Sequence, residues 1–334
     1  MNDRTEISAR DSEAVSEGTK SVPLSAPDFA VQPSYVQTVF LGPDGLRGGW
    51  GFAFYVLMLY VLRFIVGRWA GALQLGGREL WSMMLEELVA VVAAVVPAVV
   101  LARVERRPWG AYGLPLRKAF GKLFWVGAIW GFASITLLLA AMYGLRVFEV
   151  GHPALHGARI VKFAAFWAGY FLLVGLFEDF LFRGYSQFTL TRAMGFWPAA
   201  VLLSCTFGLI HLSNGGEQWR GLLAAAAIGF FFCLTLRRTG TLWFAVGFHA
   251  AWDWGETFFY SVPDSGTVFP GHLLKSSFHG PGWLTGGMVG PEGSLLCFVV
   301  IGVVWGAFER AYREVKYCAG KERSLPQRAP GITE

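Results

Sequence analysis

The feature that most constrains this chain is a succession of long apolar stretches, each close to the length that crosses a bilayer. A transmembrane helix needs about 20 predominantly apolar residues. Backbone polar groups in lipid must be paired within the chain, which makes such stretches helical. We therefore predict eight membrane-spanning helices, near residues 50–67, 84–102, 123–143, 163–182, 196–212, 221–236, 241–260 and 293–309.

Composition supports the same fold class. Hydrophobic residues make up 54% of the chain and charged residues 15%, against roughly 25% charged residues in a soluble domain. So few charges cannot cover a water-exposed surface, which excludes a soluble globular enzyme, a disordered chain and a coiled coil. The sequence predicts an all-α polytopic membrane protein with a cavity between its helices.

The charged residues predict the organisation of the chain and its orientation. Most Lys and Arg fall in segments on the same side as the N-terminus, which places both termini in the cytoplasm of an inner or plasma membrane. An excess of Lys and Arg on cytoplasmic loops accounts for the net charge of +5. Because the charge has this explanation, we expect no nucleic-acid partner. We divide the chain into a flexible cytoplasmic tail (1–49), N-terminal transmembrane helices (50–160), a core segment (161–260), a loop with the last helix (261–309) and a basic tail (310–334).

Small residues and charged residues mark individual spans. Gly127 and Gly131 have the small-xxx-small spacing that permits close helix contact. At the end of the fourth span, Glu178, Asp179 and Arg183 are unexpected, because a charge in mid-bilayer costs about 2.5–3.5 kcal/mol on insertion scales. Glu178 and Asp179 diverge by about 100° around the helix axis. We expect one of them to face a cavity and the other to face Arg183 or a helix end.

Two further pairs of residues each share a helix face, one pair on the fifth predicted span and one on the seventh. Phe207 and His211, and likewise His249 and Asp253, have i,i+4 spacing. We expect Phe207 to stack beneath the His211 imidazole. Each feature alone also fits a structural role: a packing histidine, an ion pair at a helix end, or a histidine–carboxylate clasp. Three such features on three apolar helices favour a shared functional site.

The ordered motifs carry a family resemblance. The chain resembles the CPBP family of intramembrane proteases, also called the CAAX-protease and bacteriocin-processing or ABI family, whose relatives include the type II CAAX prenyl endopeptidases. Two positions depart from the pattern: Asp179 stands where the family more often has Glu, and Asp253 where the prenyl-endopeptidase branch has Asn. The motifs are Glu178-Asp179-x-x-x-Arg183, Phe207-x-x-x-His211 and His249-x-x-x-Asp253.

The resemblance implies an endopeptidase that hydrolyses a membrane-associated peptide, either prenylated or bearing a leader. Membrane lipid and this substrate are the expected partners. Glu178 can take the proton of the attacking water, and His211 can hold that water or a metal that polarises it. His249 can donate to the oxyanion, and Asp253 can fix His249. Arg183 can pair with Asp179 and hold the helix in register.

The sequence leaves two alternatives for the cofactor, a zinc ion or no metal. Two histidines and a carboxylate can make a catalytic zinc site, and the resemblance implies a metalloprotease with His211, His249 and Asp253 as candidate ligands. HExxH is absent from the sequence, and the resemblance also implies a metal-free, glutamate-activated water. Other function classes are a non-catalytic bacteriocin-immunity or scaffold protein of the same fold, and a proton-coupled transporter.

Overall fold

The structure is a computed structural model that describes residues 34–42, 45–72, 80–108, 110–214 and 219–317. The chain divides into two compact units, Met1–Val39 and Phe40–Glu334, and the candidate site lies entirely in the second. Residues 1–33 of the predicted tail and residues 318–334 of the predicted basic tail lie outside the described residues. The described residues between 34 and 49 contain a short helix and two paired strands of two residues each, where a flexible tail is predicted from the sequence.

The described residues are mostly helical. The helices are α1 (Tyr35–Phe40), α2 (Gly48–Ala72), α3 (Leu80–Val104), α4 (Lys122–Gly144), α5 (Ala158–Phe180), α6 (Ser186–Met194), α7 (Phe196–Ile210), α8 (Trp219–Thr239), α9 (Trp243–Trp254), α10 (Gly282–Thr285) and α11 (Leu295–Ala311). Single turns of 3-10 helix lie at Leu116–Lys118, His211–Ser213 and Pro291–Gly293. Turns of π-helix lie at Leu181–Tyr185 and Gly255–Phe259.

Four very short strands form two antiparallel pairs. The strand β1 (Leu41–Gly42) pairs with β2 (Gly45–Leu46). The strand β3 (Phe148–Glu149) pairs with β4 (Ser277–Phe278), with Phe148 opposite Phe278. The second pair joins the connection after α4 to the connection between α9 and α10, and so brings that later connection back onto the helical core.

Six helical segments in the described part of the chain are long and apolar enough to cross a membrane. They are Gly48–Trp69, Leu80–Val104, Lys122–Gly144, Ala158–Met194, Phe196–Ser213 and Trp219–Thr239. The other two predicted spans are also helical but shorter: α9 has 12 residues before its π-helical turn, and α11 has 17. The structure is therefore that of a polytopic all-α membrane protein, but only six of the eight predicted spans meet that length and composition.

The outer faces of the long helices carry large apolar side chains. Phe64 on α2 is 69% exposed, Ile129 on α4 is 67% exposed and Val161 on α5 is 71% exposed. Extended apolar surface of this kind is costly in water, whereas it is the surface that lipid chains contact. The exposed side chains and the helix lengths together indicate that these faces lie against a bilayer.

Glycines on α4 and α9 allow the two helices to approach closely. A Cβ atom at Gly127 would overlap the carbonyl oxygen of Phe244, and one at Gly131 would overlap that of Phe248. In the other direction, a Cβ atom at Gly247 would overlap the carbonyl oxygen of Phe124. The two glycines on α4 thus form a contact surface for the backbone of α9. This contact fixes the position of α9, which carries His249.

Candidate active site

The end of α5 supplies one half of the site. Asp179 and Arg183 are 0% and 1% exposed, and Arg183 Nη1 donates to Asp179 Oδ1 over 3.1 Å. Arg183 lies in the π-helical turn that follows α5, where Gly184 has a non-helical ψ of −112°. Glu178 is partly exposed and lines a cavity. As expected, one of the two adjacent acids faces Arg183 and the other faces the cavity.

Aromatic rings surround the Arg183 guanidinium. Its central carbon lies 4.4 Å from the centre of the Phe207 ring, a cation–π distance. Gly229 on α8 gives the guanidinium room, because a Cβ atom there would meet Nη2 of Arg183. This packing holds the end of α5 against α7 and α8, and it places Phe207 between Arg183 and the imidazole of His211.

Phe207 contacts His211 through a ring edge. The ring centres are 4.7 Å apart and the planes are inclined by 71°, so the stacked arrangement expected from the sequence is wrong in its geometry. His211 Nδ1 lies 2.7 Å from the carbonyl oxygen of Phe207. A carbonyl oxygen only accepts, so Nδ1 carries the proton in this bond, and Nε2 is left as an acceptor in the neutral ring.

His249 lies at the centre of the acidic groups. Its Nε2 is 3.7 Å from Glu178 Oε2 and 3.6 Å from Asp253 Oδ2. Its Nδ1 is 3.6 Å from Asp179 Oδ2. Both atoms of this last pair are buried and make no hydrogen bond to the residues that the structure describes. Both ring nitrogens thus face carboxylate oxygens at distances just beyond a hydrogen bond.

A cavity of about 260 Å³ joins these groups. The four residues expected to be catalytic, Glu178, His211, His249 and Asp253, all line it. The structure therefore brings together side chains from α5, from the 3-10 turn after α7 and from α9, as expected from the three motifs. Aromatic rings form much of the remaining wall: Tyr170, Phe171, Phe207, Phe232, Phe248, Trp252 and Phe269.

Three acidic residues in the same wall were not found from the sequence. Glu87 on α3, Asp264 and Glu292 all line the cavity. The signal for Glu87 was present, since an acidic residue within an apolar span is the same signal that marked Glu178. Asp264 and Glu292 lie in connections between helices, where acidic residues are ordinary. Burial, reinforced by the nearby charge of Glu292, raises the pKa of Asp264 to about 8.

The zinc alternative can be tested against the donor positions. Zinc holds nitrogen and oxygen ligands at about 2.0–2.2 Å, so donors on one ion lie within about 4.4 Å of one another. His211, His249 and Asp253 do not form such a group. Among the described residues, the acidic or histidine donors that all lie within 4.8 Å of one another belong to Glu256, Asp264 and Glu292. In this arrangement the three candidate ligands do not fit a single zinc ion.

Comparison with known proteins identifies the segment that carries the motifs. Residues 160–255 match the family model described as Type II CAAX prenyl endopeptidase Rce1-like. No curated protein matches the chain, and no solved structure matches it. The matched segment runs from the start of α5 to the end of α9 and contains all three motifs. Over this segment the chain is similar to the type II CAAX prenyl endopeptidases, which confirms the expected family resemblance and indicates a CAAX-type intramembrane protease.

Proposed function

We propose that this protein is an intramembrane endopeptidase that hydrolyses a peptide bond in a membrane-associated substrate, with Glu178 as the base that activates water. The observation that carries the proposal is the convergence of Glu178, His211 and His249 on one cavity. Glu178 is partly exposed there, and its carboxylate lies 3.7 Å from the His249 ring. A carboxylate and two imidazoles on the wall of one cavity are groups that general acid–base hydrolysis can use.

His211 suits the task of holding the attacking water. Its Nδ1–H is committed to the Phe207 carbonyl oxygen, which leaves Nε2 to accept a hydrogen bond from water. Glu178 then takes a proton from that water while the water oxygen adds to the carbonyl carbon of the peptide. The same carboxyl returns that proton to the amine nitrogen as the carbon–nitrogen bond breaks. The second proton of the water stays on the new carboxyl group, so a carboxylic acid and an amine leave the site.

His249 suits the task of stabilising the oxyanion. Carboxylates accept but do not donate when ionised, and both nitrogens of His249 face carboxylates. An imidazolium with a proton on each nitrogen matches this surrounding. Its Nε2–H, between Glu178 and Asp253, can turn to the developing oxyanion. Asp179, held by Arg183 on its other oxygen, orients the ring from the opposite side.

A substrate screen tests this proposal. The purified protein in detergent is incubated with prenylated C-terminal peptides and with leader peptides, and the products are identified by mass spectrometry in water enriched in ¹⁸O. We expect one labelled oxygen in the new carboxylate and no product from the Glu178→Gln variant. Equal cleavage by that variant would remove Glu178 from the mechanism.

The membrane and the orientation belong to the same proposal. We propose an inner or plasma membrane location with both termini in the cytoplasm, because Lys and Arg are concentrated on the segments that share a side with the termini. Fusing alkaline phosphatase or a fluorescent protein to the C-terminus tests the orientation. We expect a fluorescent fusion without phosphatase activity, and phosphatase activity would reverse the assignment.

A further inference from the structure

Three carboxylates converge where the connection after α9 meets the start of α11. Glu256 lies in the π-helical turn after α9, Asp264 lies in the connection that follows, and Glu292 lies in the 3-10 turn before α11. One oxygen atom from each lies within 4.8 Å of the others. Glu256 and Asp264 lie near each other in the chain and Glu292 lies further along it, so the fold brings a third acidic group to two others that it repels when all are charged.

Each carboxylate is oriented by a hydrogen bond to one of its two oxygens. Trp252 Nε1 donates to Glu256 Oε2 over 2.8 Å, and Thr257 Oγ1 donates to Asp264 Oδ2 over 2.9 Å. The backbone N–H and the hydroxyl of Ser265 both donate to Glu292 Oε2, over 3.1 and 2.7 Å. One oxygen of each carboxylate is thus held in place by a protein donor.

Among the described residues, the cluster leaves one buried carboxylate oxygen without a donor. Glu256 is 0% exposed, and its Oε1 is buried without any hydrogen-bond donor. A buried acceptor without a donor is costly, and more so when it is charged.

We propose that the carboxylates of Glu256, Asp264 and Glu292 bind one hard divalent cation, Ca²⁺ or Mg²⁺, in the wall of the cavity. Both ions prefer carboxylate oxygens and complete their coordination with carbonyl oxygens or water. Asp264 and Glu292 line the cavity, so water has access to this position. All three ligands are separate from Glu178, His211 and His249. The bound ion would join the connection after α9 to the base of α11 and neutralise one side of the cavity.

Binding to the wild-type protein is the first test and does not depend on any enzymatic activity. The full chain is purified in detergent, stripped with a chelator, and dialysed against ⁴⁵Ca²⁺, with Mg²⁺ as competitor in a second arm. We expect one saturable site per chain. Displacement by Mg²⁺ at similar concentrations identifies a site that takes both ions, and resistance to Mg²⁺ identifies a calcium site. No saturable binding at millimolar Ca²⁺ would overturn the proposal.

Isosteric variants locate the site. We expect Glu256→Gln, Asp264→Asn and Glu292→Gln each to weaken Ca²⁺ binding by at least ~10-fold, because each removes a charged ligand. The matched control is Glu314→Gln, which removes the same charge from a side chain that is 81% exposed and should bind as the wild type does. Unchanged affinity in all three cluster variants would place the ion elsewhere and overturn the assignment.

A spectroscopic measurement locates the ion even if a cluster variant does not fold. Tb³⁺ replaces Ca²⁺ at oxygen sites and emits when a nearby indole is excited, and the Trp252 indole is hydrogen-bonded to Glu256. We expect Tb³⁺ emission that Ca²⁺ quenches by competition and that Trp252→Phe reduces strongly. Trp283→Phe is the control, since Trp283 is 50% exposed and does not line the cavity. Equal emission from wild type and Trp252→Phe would refute this position.

Discussion

Glu178 Oε2 lies 3.7 Å from Nε2 of His249, across the contact between α5 and α9. The neighbouring residue Asp179 lies 3.6 Å from the other nitrogen of the same ring. Two adjacent acids on one helix thus serve the two sides of one imidazole. They do so because the Arg183 ion pair turns Asp179 inward, while Glu178 remains open to the cavity.

Replacing Glu178 by Gln should abolish peptide cleavage and leave the fold intact. Gln keeps the size of the side chain but cannot take a proton from water, and loss of a general base typically costs about 10²–10⁴-fold in rate. The measurement is the initial rate of cleavage of the best peptide from the substrate screen, with Glu314→Gln as the control. A rate within threefold of wild type, taken as a rough threshold on this scale, would contradict the assignment.

Replacing Arg183 by Gln should lower the free energy of unfolding by about 3–5 kcal/mol, because it leaves a buried Asp179 charge without its partner. The measurement is unfolding in detergent, followed by circular dichroism. The control is Glu309→Gln, which breaks the Arg238–Glu309 pair; the Glu309 side chain is 36% exposed. Such a pair contributes about 0–1 kcal/mol. Equal losses in the two variants would contradict a special role for the buried pair.

Local spacing explains which parts of the site could be predicted. The Asp179–Arg183 pair and the His249–Asp253 pair are i,i+4 contacts, and any helix brings such residues together. The close approach at Gly131 was also predictable, because only small residues allow two helix backbones to meet. The helical fold class followed from apolar length alone.

Contacts between distant segments explain what could not be predicted. The tilt of the Phe207 ring against His211 depends on the Arg183 guanidinium, which packs on that ring from another helix. Asp264 reaches the cavity because Thr257 holds its carboxylate and its backbone N–H bonds to the Thr267 carbonyl oxygen. No periodicity in the sequence encodes such tertiary contacts.

Replacing Gly131 by Ala should destabilise the protein by about 1–3 kcal/mol, the usual cost of overpacking. The new methyl group would overlap the carbonyl oxygen of Phe248, and α9 would have to move away from α4 together with His249. We therefore also expect a lower cleavage rate. The control is Gly302→Ala on α11, where a Cβ atom meets nothing within 4 Å. Thermal unfolding of both variants is the measurement, and equal stability would contradict the close packing.

In protein stripped of divalent ions with a chelator, we expect the wild type to lose stability at alkaline pH. Replacing Asp264 by Asn should make this loss smaller. Burial raises the pKa of Asp264 from 3.8 to about 8, so the folded protein binds this proton more tightly than the unfolded chain. The stabilisation is complete below about pH 4 and is lost as the pH rises through about 8. Unfolding temperatures at pH 5 and pH 9 should therefore differ more for wild type and Glu314→Gln than for Asp264→Asn. The same difference in all three proteins would contradict the raised pKa.

Added Ca²⁺ at pH 9 should stabilise the wild type but not Asp264→Asn, because the ion replaces the missing proton only where the carboxylate is present.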